Sequence, residues 1–228
     1  GWTPAHAGEV LWLHLQRTCP GLEEWLRFKL HIPEPTAEML VSDMTRPRAI
    51  CEGEALVATL RDLNFNPGSE PEDMISMQLW SDGQRLLTLR RAPQQSPNEI
   101  RDQLDHGMGP HDAGAMITQI AELMIDHLSG AVIDINAAID RLEDNADHLP
   151  MEERAREIAE IRRDCLALQR HISPQHEALQ QISRDAPAWF EAHDRREIAE
   201  SIARLRRHLD DINISKESAV VLQDELRA

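Results

Sequence analysis

The chain has 228 residues, and its 40 acidic side chains outnumber its 24 basic ones to give a formal net charge of -16. At 41% hydrophobic and 28% charged it can bury a core and stay solvated. The acidic balance excludes sequence-independent binding of nucleic acid, which needs Lys and Arg to displace counterions. Cys19, Cys51 and Cys165 stand far apart with no CxxC pair, so neither a disulfide framework nor a zinc knuckle is expected. No N-terminal signal peptide and no apolar run long enough to span a bilayer stands out.

Val10–Leu15 (VLWLHL) alternates Leu11, Leu13 and Leu15 with Trp12 and His14 and predicts a strand. GLEEWLRFKL after it predicts a short helix, and Ala55–Leu60 a second strand. The runs MISMQLW and RLLTLRR flank Ser81-Asp82-Gly83-Gln84, and Asp-Gly between two such runs predicts a hairpin. SPNEIRDQLDHG predicts a helix with Ser96 as N-cap, Pro97 at the first position, Glu99 completing a capping box and Gly107 ending it.

The character changes after Pro110. From Asp112 to Leu149 one apolar stripe runs through Ile117, Ile120, Met124, Leu128, Ala131, Ile135, Ile139 and Leu142, the spacing of a long amphipathic helix. Pro150 breaks it. A second stripe, Ile158, Ile161, Cys165, Leu168 and Ile172, meets Pro174, which should kink the helix or mark its edge. It resumes at Leu179 and Ile182. The two helices are expected to form a hairpin with its tip near Pro150, pairing Ile135–Leu142 with Ile158–Leu168. Ala188 to Ala228 contains no Gly or Pro and carries a seven-residue repeat at Ile198, Leu205 and Ile212 with Ile202 and Leu209 in the second register. One continuous helix is expected there, far longer than the domain before it can cover, so it needs the hairpin or copies of itself as partners.

LWLHL, TRPR (Thr45–Arg48), MISMQLWSDGQ, GMGPHDAG (Gly107–Gly114), DRLED (Asp140–Asp144) and RRDCLALQRHISPQHEAL (Arg162–Leu179) occur in an order that resembles the zinc-transporting members of the CorA superfamily of metal-ion transporters. The resemblance covers nearly the whole chain. It implies an α+β fold, with an α/β domain holding a mixed sheet over 1–110, a long helical hairpin over 111–186 and a stalk helix over 187–228. In the family the stalk runs on into the first membrane span, followed by a G-x-N signature. No such signature is present here, since Gly107-Met108-Gly109 precedes the hairpin and lacks the Asn, so the chain is expected to match the soluble part alone. The resemblance further implies a homopentamer on the cytoplasmic face of the inner membrane. It implies no tightly bound cofactor, only a divalent cation, zinc or magnesium, as cargo or regulator.

Four residues are candidate metal ligands: Asp126 with His127 beside the apolar stripe, and Asp140 with Asp144 in DRLEDNAD. There Asp140, Glu143, Asp144 and Asp147 share one helix face. That face suits cation gathering, and equally a solvated helix end; a lone His cannot make a zinc site. His171 with His176 and His106 with His111 are read as surface or loop polarity, and Cys165 as a small buried hydrophobe. Arg46 and Arg48 around Pro47 form a plausible clamp on a carboxylate; with Pro174 they are assigned structural roles. The seam Ile198, Ile202, Leu205, Leu209 and Ile212 is assigned to the subunit interface. With no HExxH, no nucleophile elbow and no clustered histidines, hydrolysis is not expected. The alternative to a transporter domain is a free-standing helical signalling protein that self-associates through the same heptads.

Overall fold

The structure, a computed structural model, describes residues 2–145 and 148–227. Strands β1 (Leu11–Gln16), β2 (Arg48–Glu52), β3 (Ala55–Asp62), β4 (Ile75–Ser81) and β5 (Arg85–Arg90) form one sheet in the order β1-β5-β4-β3-β2. β1 runs parallel to β5 and every other pair is antiparallel, so the sheet is mixed. Helices α1 (Leu22–Lys29) and α2 (Glu34–Val41) lie between β1 and β2 in sequence; α3 (Gln95–Asp105), α4 (Ala113–Asp144), α5 (Met151–Asp185) and α6 (Ala192–Glu225) follow β5. Both β2 and α2 were invisible to the sequence reading.

Alternation along the strands serves two cores. Leu13, Leu15, Val57, Trp80, Leu87 and Leu89 face α1 and α2, whose Leu26, Leu30 and Leu40 are fully buried. The opposite face, with Leu56, Ala58, Leu60, Met77, Leu79 and Leu86, shares one continuous core with α4, α5 and α6. The three stretches expected as separate units are thus packed on a common core. The hairpin between β4 and β5 turns at Asp82-Gly83 as predicted. Gly83 has φ 87° and lies against the Trp189 ring, where any Cβ would collide.

Helix α3 departs from expectation at its start. Its N-cap is Gln94, and no side chain caps it. Ser96 and Glu99 do not form a capping box, because both side chains are engaged elsewhere: Ser96 donates to Asp62 and Glu99 meets His127. Its C-terminus matches the expectation: Gly107 N–H bonds Leu104 O (2.9 Å) and Met108 N–H bonds Gln103 O (2.9 Å), a Schellman closure.

α4 and α5 follow each other around Pro150, but they are not each other's main partner. α6 lies along both, while α4 and α5 touch far less. Thr118–Glu197, Asp126–Arg204 and Asn136–Ser215 are joined at sequence offsets of 79, 78 and 79, so α6 runs parallel to α4. Arg162 reaches Gln223 and Gln169 reaches Asn213, so α6 runs antiparallel to α5. Ile198, Leu205, Ile212, Ala219 and Leu222 are buried in the chain's own core, and Ile202 and Leu209 pack against it. The residues assigned to a subunit interface are therefore covered within one chain. The physical reason is that one apolar seam can be buried only once, and two long neighbours on the same chain reach it first.

α6 begins at Ala192, short of the expected Ala188, with Glu191 and Asp194 forming its capping box. The fully buried Asp194 packs on Gly114 in the first turn of α4, a place with no room for a Cβ. Arg195 donates to Ser183 O (2.8 Å) and Ala186 O (2.6 Å), closing the C-terminal end of α5. α4 is the one described helix long and apolar enough to cross a membrane, and 56% of its apolar window is buried inside the protein.

Pro174 marks no helix edge; α5 passes through it uninterrupted. The next residue explains its setting. β2 pairs with β3 only as far as Arg48 opposite Thr59. The backbone of Arg61 is left open on that side, and the Gln175 amide fills the gap: Arg61 N–H donates to Gln175 Oε1 (2.5 Å) and Gln175 Nε2 donates to Arg61 O (2.9 Å). One side chain thus plays the part of a missing strand residue and docks α5 on the sheet. Gln175→Ala should lower stability by about 1–3 kcal/mol, the cost of unpaired backbone groups. Gln175→Glu should be worse, since a carboxylate cannot donate to Arg61 O. Urea unfolding of both variants checks this, and equal stabilities would contradict it.

Candidate functional site

His127 on α4 sits at the meeting of α4, β3 and α3. Its Nδ1 is 2.9 Å from Asp62 Oδ1 and its Nε2 is 2.8 Å from Glu99 Oε1. Asp62, at the end of β3, is fully buried; it also accepts from Ser96 Oγ and from Leu63 N–H (2.8 Å). The Phe65 ring stands edge-on at 5.3 Å from the imidazole. Burial pulls the His127 pKa down, but hydrogen bonds to and charge from Asp62, then Glu99, outweigh it and hold the group at about 9. At neutral pH the ring is an imidazolium donating from both nitrogens. It has no lone pair to offer a metal, and its two carboxylate partners lie on opposite sides of the ring. The expectation that His127 is a metal ligand is corrected on that ground.

Asp126 is likewise occupied. It pairs with Arg204 of α6, which also reaches toward Glu122 (3.9 Å). Asp140 and Asp144 are exposed near the end of α4, and Asp147, the last of the four carboxylates expected on that face, lies outside the described residues. Among the described residues no three His, Cys, Asp or Glu side chains stand close enough to hold a metal ion. The sequence-predicted ligands therefore divide into a structural clamp, an interhelical ion pair and a solvated acidic face.

That face is larger than the sequence suggested. α4 and α6 run parallel, so their C-termini lie at the same end of the molecule. There Glu143 lines a cleft with Glu217 and Glu225 of α6, among Ile214, Val221 and Leu222. Two helix C-termini add the negative ends of their dipoles, and α6 carries no basic residue in its last turn. Glu217 and Glu225 were missed. Their spacing, with Val221 between, places them on one helix face, but nothing in sequence sets that face beside Glu143.

Cys165 is fully buried, and burial pushes its thiol up to about 11. His171 is lowered to about 4 by burial and then by Arg61 and Arg170. His106 Nδ1 lies 2.6 Å from Asp102 O. The clamp expected of Arg46 and Arg48 is absent: among the described residues neither meets a carboxylate.

Residues 7–228 match the family model described as CorA-like Mg2+ transporter protein. The chain belongs to the CorA-like transporter family. It is 32% identical over 217 residues to the zinc transport protein ZntB of Pectobacterium atrosepticum, and 31% identical over 221 residues to the divalent cation transporter CmaX of Pseudomonas aeruginosa. Each alignment covers 95% of this chain, which spans only 66% of either relative's length. Among solved structures, full-length CmaX superposes with a TM-score of 0.91 at 30% identity, covering 98% of this chain and 69% of that one. The ZntB cytoplasmic domain from Vibrio parahaemolyticus superposes at 0.86 with 22% identity over 95% of this chain and 86% of that one, a likeness of fold. The CorA-type fold expected from the motifs is the fold observed.

The His127 clamp makes stability depend on pH in a stated direction. Because its pKa is raised in the folded state, its contribution is fully present below the unfolded value of about 6.5 and is lost as pH rises through about 9. His127→Gln should cost about 3 kcal/mol near pH 6, where it leaves Asp62 buried without its cation. The gap between wild type and variant should narrow by pH 9.5. Urea unfolding at several pH values measures it; a gap that stays constant would refute the clamp.

Proposed function

We propose that this chain is the cytoplasmic domain of a divalent-cation transporter, with zinc as cargo, and that it gathers cations by negative potential rather than by a ligand shell. The carrying observation is the acidic cleft of Glu143, Glu217 and Glu225 at the joint C-terminal end of α4 and α6. A net charge of -16 supplies the wider field. Family membership supports transport, and the zinc and divalent-cation names of the two relatives support the class of cargo. In this reading the domain works as a homopentamer on the cytoplasmic face of the inner membrane, and α6 carries the acidic end toward the pore. It gates passage without covalent chemistry. The free-standing signalling alternative loses its main support, because the heptads it would use are buried within the chain.

A field and a coordination site behave differently under salt. In the transporter that carries this domain, the combined Glu143→Gln, Glu217→Gln and Glu225→Gln substitutions should lower initial zinc uptake about 3–10-fold at limiting metal and low ionic strength, the size of an electrostatic steering effect. The difference should vanish in about 0.5 M salt, where the Debye length falls to a few Å, and at saturating zinc. Flux assays on reconstituted vesicles decide it. A loss that persists at saturating zinc and high salt would replace the field with a specific site.

A further inference from the structure

The Thr45–Arg48 stretch found in the sequence is not absorbed by cation transport. It borders a cavity of about 370 Å³ between the start of β2 and α5, lined by Met44, Arg46, Pro47 and Arg48 on one side and Pro174, Glu177, Ala178 and Gln181 on the other. The size lies in the range of small-molecule sites. Pro47, Pro174 and Ala178 are buried and give it an apolar wall.

The two guanidiniums are unspent. Among the described residues neither Arg46 nor Arg48 makes an ion pair or a side-chain hydrogen bond, and Arg48 Nε is buried with no acceptor. Arginines that are half-buried elsewhere have acceptors: Arg61 is engaged with Thr45 and Met74, Arg85 with Asp82 and Leu30, and Arg195 with the end of α5. A buried donor left unpaired asks for a partner that is not part of the chain. Guanidinium geometry fits carboxylate and phosphate oxygens. Gln181 cannot serve as that partner, since its amide is held by Arg184 and Asp185.

We propose that this cavity binds a small organic anion, its phosphate or carboxylate head held by Arg46 and Arg48 and its apolar body against Pro47, Pro174 and Ala178. Such a ligand bridges β2 and α5 beside the Gln175 dock, and so ties the sheet to the helical layer.

The test is isothermal titration of the 228-residue chain with phenyl phosphate and with inorganic phosphate. Phenyl phosphate should bind one per chain and at least 10-fold more tightly than inorganic phosphate. Arg46→Gln, an exposed position that leaves the fold intact, and Arg48→Gln should each weaken it about 10-fold, as expected for loss of a charge-assisted contact. Arg163→Gln, an α5 arginine outside the cavity, should leave it unchanged. Glu177→Gln, which removes the opposing negative charge from the rim, should tighten it. No saturable binding up to about 10 mM, equal affinity for the two phosphates, or an equal loss in Arg163→Gln would each overturn the proposal.

Discussion

The apolar seam of α6 is the constraint around which the helical layer is arranged. A 34-residue helix is roughly 50 Å long, and its buried residues recur from Ile198 to Leu222. No single short domain can cover such a length. α4 and α5, with 32 and 35 residues, match it and flank it on both sides. The parallel run of α4 and α6 is then a topological consequence: α5 carries the chain back, and α6 returns in the direction of α4.

Two polar contacts fix this layer to the sheet. Gln175 completes the β3 backbone beyond the end of β2, and His127 joins α4 to the buried Asp62 at the end of β3 and to Glu99 on α3. They differ in kind. The first is a neutral amide exchange that is indifferent to pH. The second depends on an imidazolium that exists because two carboxylates surround it. Both act beside large apolar contacts, whose burial supplies most of the attraction but little of the register. Polar contacts set the register because each has only one satisfied arrangement.

The same geometry distributes charge. Carboxylates that meet a cation inside the chain, such as Asp62, Asp126 and Glu99, are structural. Those left over collect where two helices end together, at Glu143, Glu217 and Glu225. Dispersed carboxylates on long side chains attract divalent ions without holding them, as the proposed cation-gathering role requires.

The sequence by itself determined the elements with strong periodicity or turn chemistry: the β4–β5 hairpin, the three long helices and the strands at Leu11 and Ala55. It also carried, through TRPR and SPQ, the resemblance that named the fold. It did not show β2, a short edge strand with no clear alternation, or α2, which opens on prolines. Tertiary structure alone decided which partner each polar group takes. Ser96 and Glu99 have the spacing of a capping box, yet a buried aspartate and a histidine on another helix outcompete the local backbone. His127 and Asp126 have the chemistry of metal ligands, yet each is claimed by a group more than 60 residues away in sequence. The heptads of α6 have the pattern of an intermolecular seam, yet two helices of the same chain bury them. Periodicity reports that a face will be covered; only the fold, by bringing distant residues within contact, decides what covers it.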